Sequence, residues 1–72
     1  MNLQQLRLNV AMTQAEIGVA LRVSPTTVTA WEVSRAKPRL VFIRELARIY
    51  GVTIAEINAA IEATKAEASP KA

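Results

Sequence analysis

Two helix-start signals stand close together in this chain, at Thr13 and at Ser24, and their spacing constrains the fold more than any other feature. In the run TQAEIGVALRVSPTTVTAWE, Thr13 to Glu32, the first signal is the pair Thr13 and Glu16, which have the T-x-x-E spacing of a capping box. The hydroxyl accepts from free N–H groups of the opening turn while the carboxylate reaches back to the cap. Met12 and Ile17 occupy the staple positions on either side. The same signals recur at Val23-Ser24-Pro25, with Ser24 as cap, Pro25 at the first helical position, where no donor is needed, and Val23 set to staple to Val28. Only Arg22 and Val23 remain for the bend. A corner so tight sets the second helix at a steep angle to the first and lets it protrude.

The apolar period extends this reading to the rest of the chain. Asn2 to about Val10 is a first helix with Leu3, Leu6 and Val10 on one face; Thr13 to Leu21 is the second and Pro25 to about Val33 the third. After a polar connection, Ser34 to Pro38, a fourth helix places Leu40, Ile43, Leu46, Ala47 and Tyr50 on one stripe, with Gly51 as its left-handed terminus. Val52, Thr53, Glu56 and Ile57 repeat the staple and box, so a fifth helix starts near Ile54, carries Ile54, Ile57 and Ile61, and frays after about Lys65. No segment alternates apolar and polar residues over a strand length. The expectation is an all-α, compact five-helix domain over residues 1–65 and a polar, disordered tail over 66–72. Gly18 lies mid-helix, where it costs about 1 kcal/mol in propensity. Close approach of the second and third helices is the expected reason.

Chemistry is bounded by what is missing. The 72 residues contain no cysteine and no histidine, which removes thiolate nucleophiles, imidazole bases, disulfides and the usual zinc ligands. A chain this short has room for one modest core, burying roughly 60% of its unfolded surface, and little for a cleft. The six carboxylates have no cluster partner in sequence. No enzyme activity, cofactor, metal or small-molecule ligand is expected. The formal charge of +3 is concentrated, with six basic residues from Arg22 to Arg48 against Glu32 and Glu45. No membrane-length apolar run and no signal-peptide pattern is visible, so a cytoplasmic location is expected.

Taken together, Leu6-Arg7, Thr13-Gln14, Glu16-Ile17, Val23-Ser24-Pro25, Val28, Trp31-Glu32, Lys37-Pro38, Leu46-Ala47 and Gly51-Val52 resemble the phage Cro and repressor type of helix-turn-helix domain, the xenobiotic-response-element family. The resemblance covers nearly the whole chain. It implies a lambda-repressor-like fold of five helices whose third helix enters the major groove of double-stranded DNA, as a homodimer that regulates transcription. Under it, Gln14 holds a phosphate at the mouth of the second helix, and Arg7 and Glu32 form an internal salt bridge between helices one and three. Arg35, Lys37 and Arg39 stand where similar proteins hold phosphates.

On the third helix, Thr26, Thr27, Thr29 and Ala30 lie on or beside the face opposite Val28 and Trp31. Threonine is a poor helix former, by a few tenths of a kcal/mol per residue, so a contacting role is the better account of the run. Thr26 and Ala30 are the first candidates for base edges, by hydroxyl hydrogen bond and by contact with a thymine methyl. Trp31 belongs to the inward face. Val41, Phe42, Ile57 and Ile61 are expected at a dimer interface, since they add apolar surface beyond what one 72-residue monomer would bury. The rival reading is an antitoxin or interaction adaptor on the same fold, holding a protein through Val41, Phe42 and the fifth helix. The family commonly has glycine at the bend and after the third helix; this chain has Arg22 and Ser34 there.

Overall fold

The computed structural model describes residues 1–68. Its five helices are α1 Leu3–Asn9, α2 Gln14–Leu21, α3 Pro25–Glu32, α4 Leu40–Tyr50 and α5 Ile54–Ala68, with no strand among the described residues. The all-α, five-helix expectation holds.

Each expected cap forms. Thr13 Oγ1 accepts from the Glu16 N–H at 3.1 Å while Glu16 Oε1 accepts from the Thr13 N–H at 2.8 Å. Thr53 and Glu56 repeat the exchange at 3.0 and 3.2 Å, and Ser24 Oγ accepts from the Thr27 N–H at 3.2 Å. A further capping box opens α1: Asn2 Oδ1 accepts from the Gln5 N–H at 2.8 Å and Gln5 Oε1 from the Asn2 N–H at 2.9 Å. Its N-x-x-Q spacing is the amide counterpart of the T-x-x-E boxes at Thr13 and Thr53.

The first four helices terminate alike. Ala11, Arg22, Ser34 and Gly51 take left-handed conformations with φ of 55°, 59°, 61° and 68°. In each case the next residue donates back to the last turn: Met12 to the Arg7 carbonyl at 3.4 Å, Val23 to Gly18 at 2.9 Å, Arg35 to Ala30 at 2.8 Å and Val52 to Ala47 at 3.0 Å. This is the Schellman arrangement, which satisfies carbonyls that the helix itself leaves free. Arg22 and Ser34 therefore keep the turn that glycine serves elsewhere, and bear about 1 kcal/mol of strain each for doing so.

α1 lies at the centre, against α3, α4 and α5, while α2 packs on α3 and α4 on α5. The core gathers Leu3 and Leu6 from α1, Ile17 and Leu21 from α2, Val28 and Trp31 from α3, Ile43, Leu46, Ala47 and Tyr50 from α4, and Ile57, Ala60 and Ile61 from α5. Full burial of each large aliphatic contributes about 1.5–3 kcal/mol. Two stripe positions fall outside: Leu40 is 83% and Ile54 48% exposed, because each is the first residue of its helix and stands beyond the core's edge. Ile57 and Ile61, expected at a dimer interface, are 0% and 8% exposed within the chain's own core. That assignment is corrected, since α5 turns both side chains toward α4 and α1 and leaves neither of them the surface an interface would need. Val41 remains exposed, and Phe42 is half-buried with its ring 5.4 Å from that of Trp31.

The expected tail also changes. α5 continues through Ala68, so residues 66–68 are helical rather than disordered, and residues 69–72 lie outside the described residues. The last turns are anchored to the start of α1: Thr64 Oγ1 accepts from the Leu3 N–H at 3.0 Å, and Asn2 Nδ2 donates to Glu67 Oε1 at 2.6 Å. An orphan donor of α1 is thereby satisfied in a buried place, which polar composition alone does not reveal.

The two glycines are required for different reasons. A Cβ on Gly18 would stand 2.7 Å from the Val23 carbonyl oxygen, so the bend's own backbone demands the missing side chain; at Gly51 the space is open and the left-handed φ makes the demand. Gly18→Ala should destabilise the chain by about 1–2 kcal/mol despite the propensity gain, and Gly51→Ala by about 1 kcal/mol. Urea unfolding followed by circular dichroism checks both values.

Candidate nucleic-acid interface

The outward side of α3 is set by what its inward side must bury. Val28 and Trp31 fill the core at 1% and 5% exposure, and the 3.6-residue turn then carries Thr26 and Ala30 away from it. Thr26, Thr29, Ala30, Val33 and Arg35 line one shallow depression of about 300 Å³. Thr26 is exposed, Ala30 and Thr29 half-buried. Thr27 faces the cap instead: its hydroxyl lies 3.1 Å from Ser24 Oγ, and it is not part of that depression. The structure thus brings three of the four expected base-contacting residues together and sets Thr27 apart.

A polar network fixes α3 from behind. Arg7 Nε donates to Glu32 Oε2 at 2.7 Å and Arg7 Nη2 to Glu32 Oε1 at 3.1 Å, a two-pronged ion pair whose side chains are 9% and 5% exposed. The salt bridge implied by the resemblance is present. Arg7 Nη1 also donates to the Met12 carbonyl at 2.9 Å, which ties the pair to the α1–α2 turn. Hydrogen bonding to Glu32 raises the guanidinium's pKa above its usual value, against the opposing effect of burial. Gln14, the first residue of α2, donates from Nε2 to Glu32 Oε1 at 2.9 Å and accepts at Oε1 from the Thr29 hydroxyl at 2.7 Å. Sequence reading placed Gln14 and Thr29 at the surface separately. Their mutual bond carries no sequence signal, because it depends on the angle between α2 and α3.

The cations span adjoining places. Arg35 borders the α3 depression, Lys37 and Arg39 line a groove of about 600 Å³ with Leu40, Asn58 and Glu62 between the start of α4 and α5, and Arg35 and Lys37 share a third groove with Glu62 and Lys65. Arg22, Arg35, Lys37 and Arg39 are exposed, and none forms an ion pair among the described residues. The exposed basic groups around α3 are therefore uncompensated within the described fold. No helix among the described residues is long and apolar enough to cross a membrane.

A family model described as a helix-turn-helix domain matches residues 2–60. The matched span includes the network, the whole of α3 and the basic connection to α4. No curated protein and no solved structure matches the chain significantly.

Two measurements check the inner side of this arrangement. Arg7→Leu leaves a buried carboxylate without its partner and should destabilise the chain by about 3 kcal/mol in urea unfolding. Tyr50 is pushed up to about 12, first by burial and then by the nearby Glu32 carboxylate, with Arg7 opposing. Its folded-state value lies above the ordinary value of about 10, so its stabilising effect is complete below about pH 10 and is lost as pH rises through about 12. Tyr50 is the single tyrosine, so phenolate absorbance should appear near pH 12 in the folded chain, and the stability loss above pH 10 should shrink in Tyr50→Phe.

Proposed function

Given that the chain belongs to the helix-turn-helix domain family, we propose that it binds double-stranded DNA sequence-specifically and regulates transcription, as a repressor that occludes its operator. The observation that carries this reading is the exposed face of α3, where Thr26, Thr29 and Ala30 share one surface with Arg35 while the ion pair behind them holds the helix at a fixed angle. Base edges fall to Thr26 and Ala30 first, the hydroxyl by hydrogen bonding and the methyl by contact with thymine. Arg35, Lys37 and Arg39 take phosphates, as does the Gln14 amide hydrogen that Glu32 leaves free, at the positive end of α2.

One module offers few contacts, so two copies bind together, with their α3 helices about 34 Å apart on successive turns of a near-palindrome. With Ile57 and Ile61 in the core, the pairing surface contracts to the exposed side of α4, Leu40 and Val41, at 83% and 47% exposure. An interface this small favours association on DNA over association in free solution.

In vitro selection from random duplexes tests the whole proposal. It should return a motif with inverted symmetry, bound at two chains per duplex by sedimentation. Neutralising Arg35, Lys37 or Arg39 should weaken selected and random duplexes alike and lower the salt slope by about 1. Changing Thr26 or Ala30 should instead alter the preferred sequence, at about 1–3 kcal/mol per lost contact. No enrichment and a salt-independent affinity would remove DNA from the account.

A further inference from the structure

The network behind α3 has a direction. Arg7 can only donate and the Glu32 carboxylate, whose oxygens receive it at 2.7 and 3.1 Å, can only accept. Gln14, next in line, must then turn its NH2 group toward Glu32, which leaves its carbonyl oxygen toward Thr29. The Thr29 hydroxyl has a single proton, and both of its hydrogen-bond neighbours are acceptors: Gln14 Oε1 at 2.7 Å and the Pro25 carbonyl at 3.1 Å. The proton is committed within the chain. Toward a further partner Thr29 has no proton left to give, so from the depression it lines with Thr26, Ala30 and Arg35 it can offer only oxygen lone pairs and a methyl group.

We propose that Thr29 is a specificity-determining residue held as an obligate hydrogen-bond acceptor by the relay Arg7, Glu32, Gln14, and that it selects a base with an exocyclic amino group in the major groove, adenine N6 or cytosine N4. Guanine and thymine present only acceptors at the corresponding edge, and an acceptor facing them gains no hydrogen bond. A free threonine hydroxyl rotates to suit either kind of edge. Here the rotation is removed by a buried ion pair two residues away in the relay, so Gln14, Glu32 and Arg7 act as positioning residues for Thr29. The inference rests on the DNA-binding reading above and adds to it which chemical group is read.

The test has a part that needs no DNA. In the free protein, one of the two Gln14 side-chain amide protons should exchange slowly and the other quickly in 15N-resolved spectra, with the protection lost in Glu32→Gln. Equal, rapid exchange of both in the wild type overturns the relay while leaving DNA binding untouched. With the selected duplex in hand, Thr29→Val keeps the shape and removes the acceptor; it should abolish discrimination at one position, where the wild type selects adenine or cytosine, and keep the rest of the motif. Removing that base's exocyclic amino group, with purine for adenine or 2-pyrimidinone for cytosine, should weaken wild-type binding about tenfold and leave Thr29→Val unchanged. Glu32→Gln, which lets Gln14 turn over, should relax that position to all four bases. A Thr29-dependent position that selects guanine or thymine, or a motif that Thr29→Val leaves intact, overturns the proposal. Failure of the wild type to enrich any motif overturns the DNA-binding reading itself.

Discussion

The Arg7–Glu32 ion pair holds three helices in register. Arg7 lies on α1, its second contact is the carbonyl of Met12 in the turn to α2, and Glu32 ends α3 while also receiving Gln14 from the first position of α2. Burial of both charges is expensive, and in energy alone an apolar replacement of similar volume would do as well. Geometry is what the pair supplies: an apolar contact tolerates rotation of α3 about its axis, whereas a two-pronged guanidinium–carboxylate contact tolerates very little. The face that α3 turns outward, chosen by the burial of Val28 and Trp31, is therefore held in place by the polar contacts of Glu32, and the aromatic contact of Trp31 with Phe42 adds a second fixed point from α4.

Helix starts were legible in the sequence because capping is local. Thr13, Ser24 and Thr53 announce themselves through residues at most three positions away, and the structure forms each of those bonds. Ends were marked by a glycine only at Gly51. Ala11, Arg22 and Ser34 adopt the same left-handed turn without the residue that advertises it, and at Ala11 nothing in the sequence marks the turn. The asymmetry is physical: an N-terminal cap needs a side-chain acceptor and so selects residue types, whereas a Schellman end uses backbone donors alone and excludes few residues outright.

The candidate site divides along the same line. Outward Thr26 and Ala30 and inward Val28 and Trp31 follow from the helical period, and the structure places all four accordingly. The period also put Ile57 and Ile61 on one face of α5, but it could not say whether that face meets this chain or another one. The structure assigns it to this chain, since α5 covers both α4 and α1. The Gln14–Thr29 contact was beyond reach for a different reason, being a product of the angle between two helices that share a bend.

The strained helix ends bear on how such a chain tolerates change. Ala11, Arg22 and Ser34 together hold on the order of 3 kcal/mol that glycine at the same places would release, against a total stability of about 5–15 kcal/mol for a small domain. None of the three lies in the core. A lineage carrying this sequence can therefore accept a destabilising substitution on the exposed side of α3 and recover through one glycine at a turn outside the core. Change on the exposed side of α3 is thus buffered by turns that lie outside the core, and each left-handed position that carries a side chain is stability held in reserve.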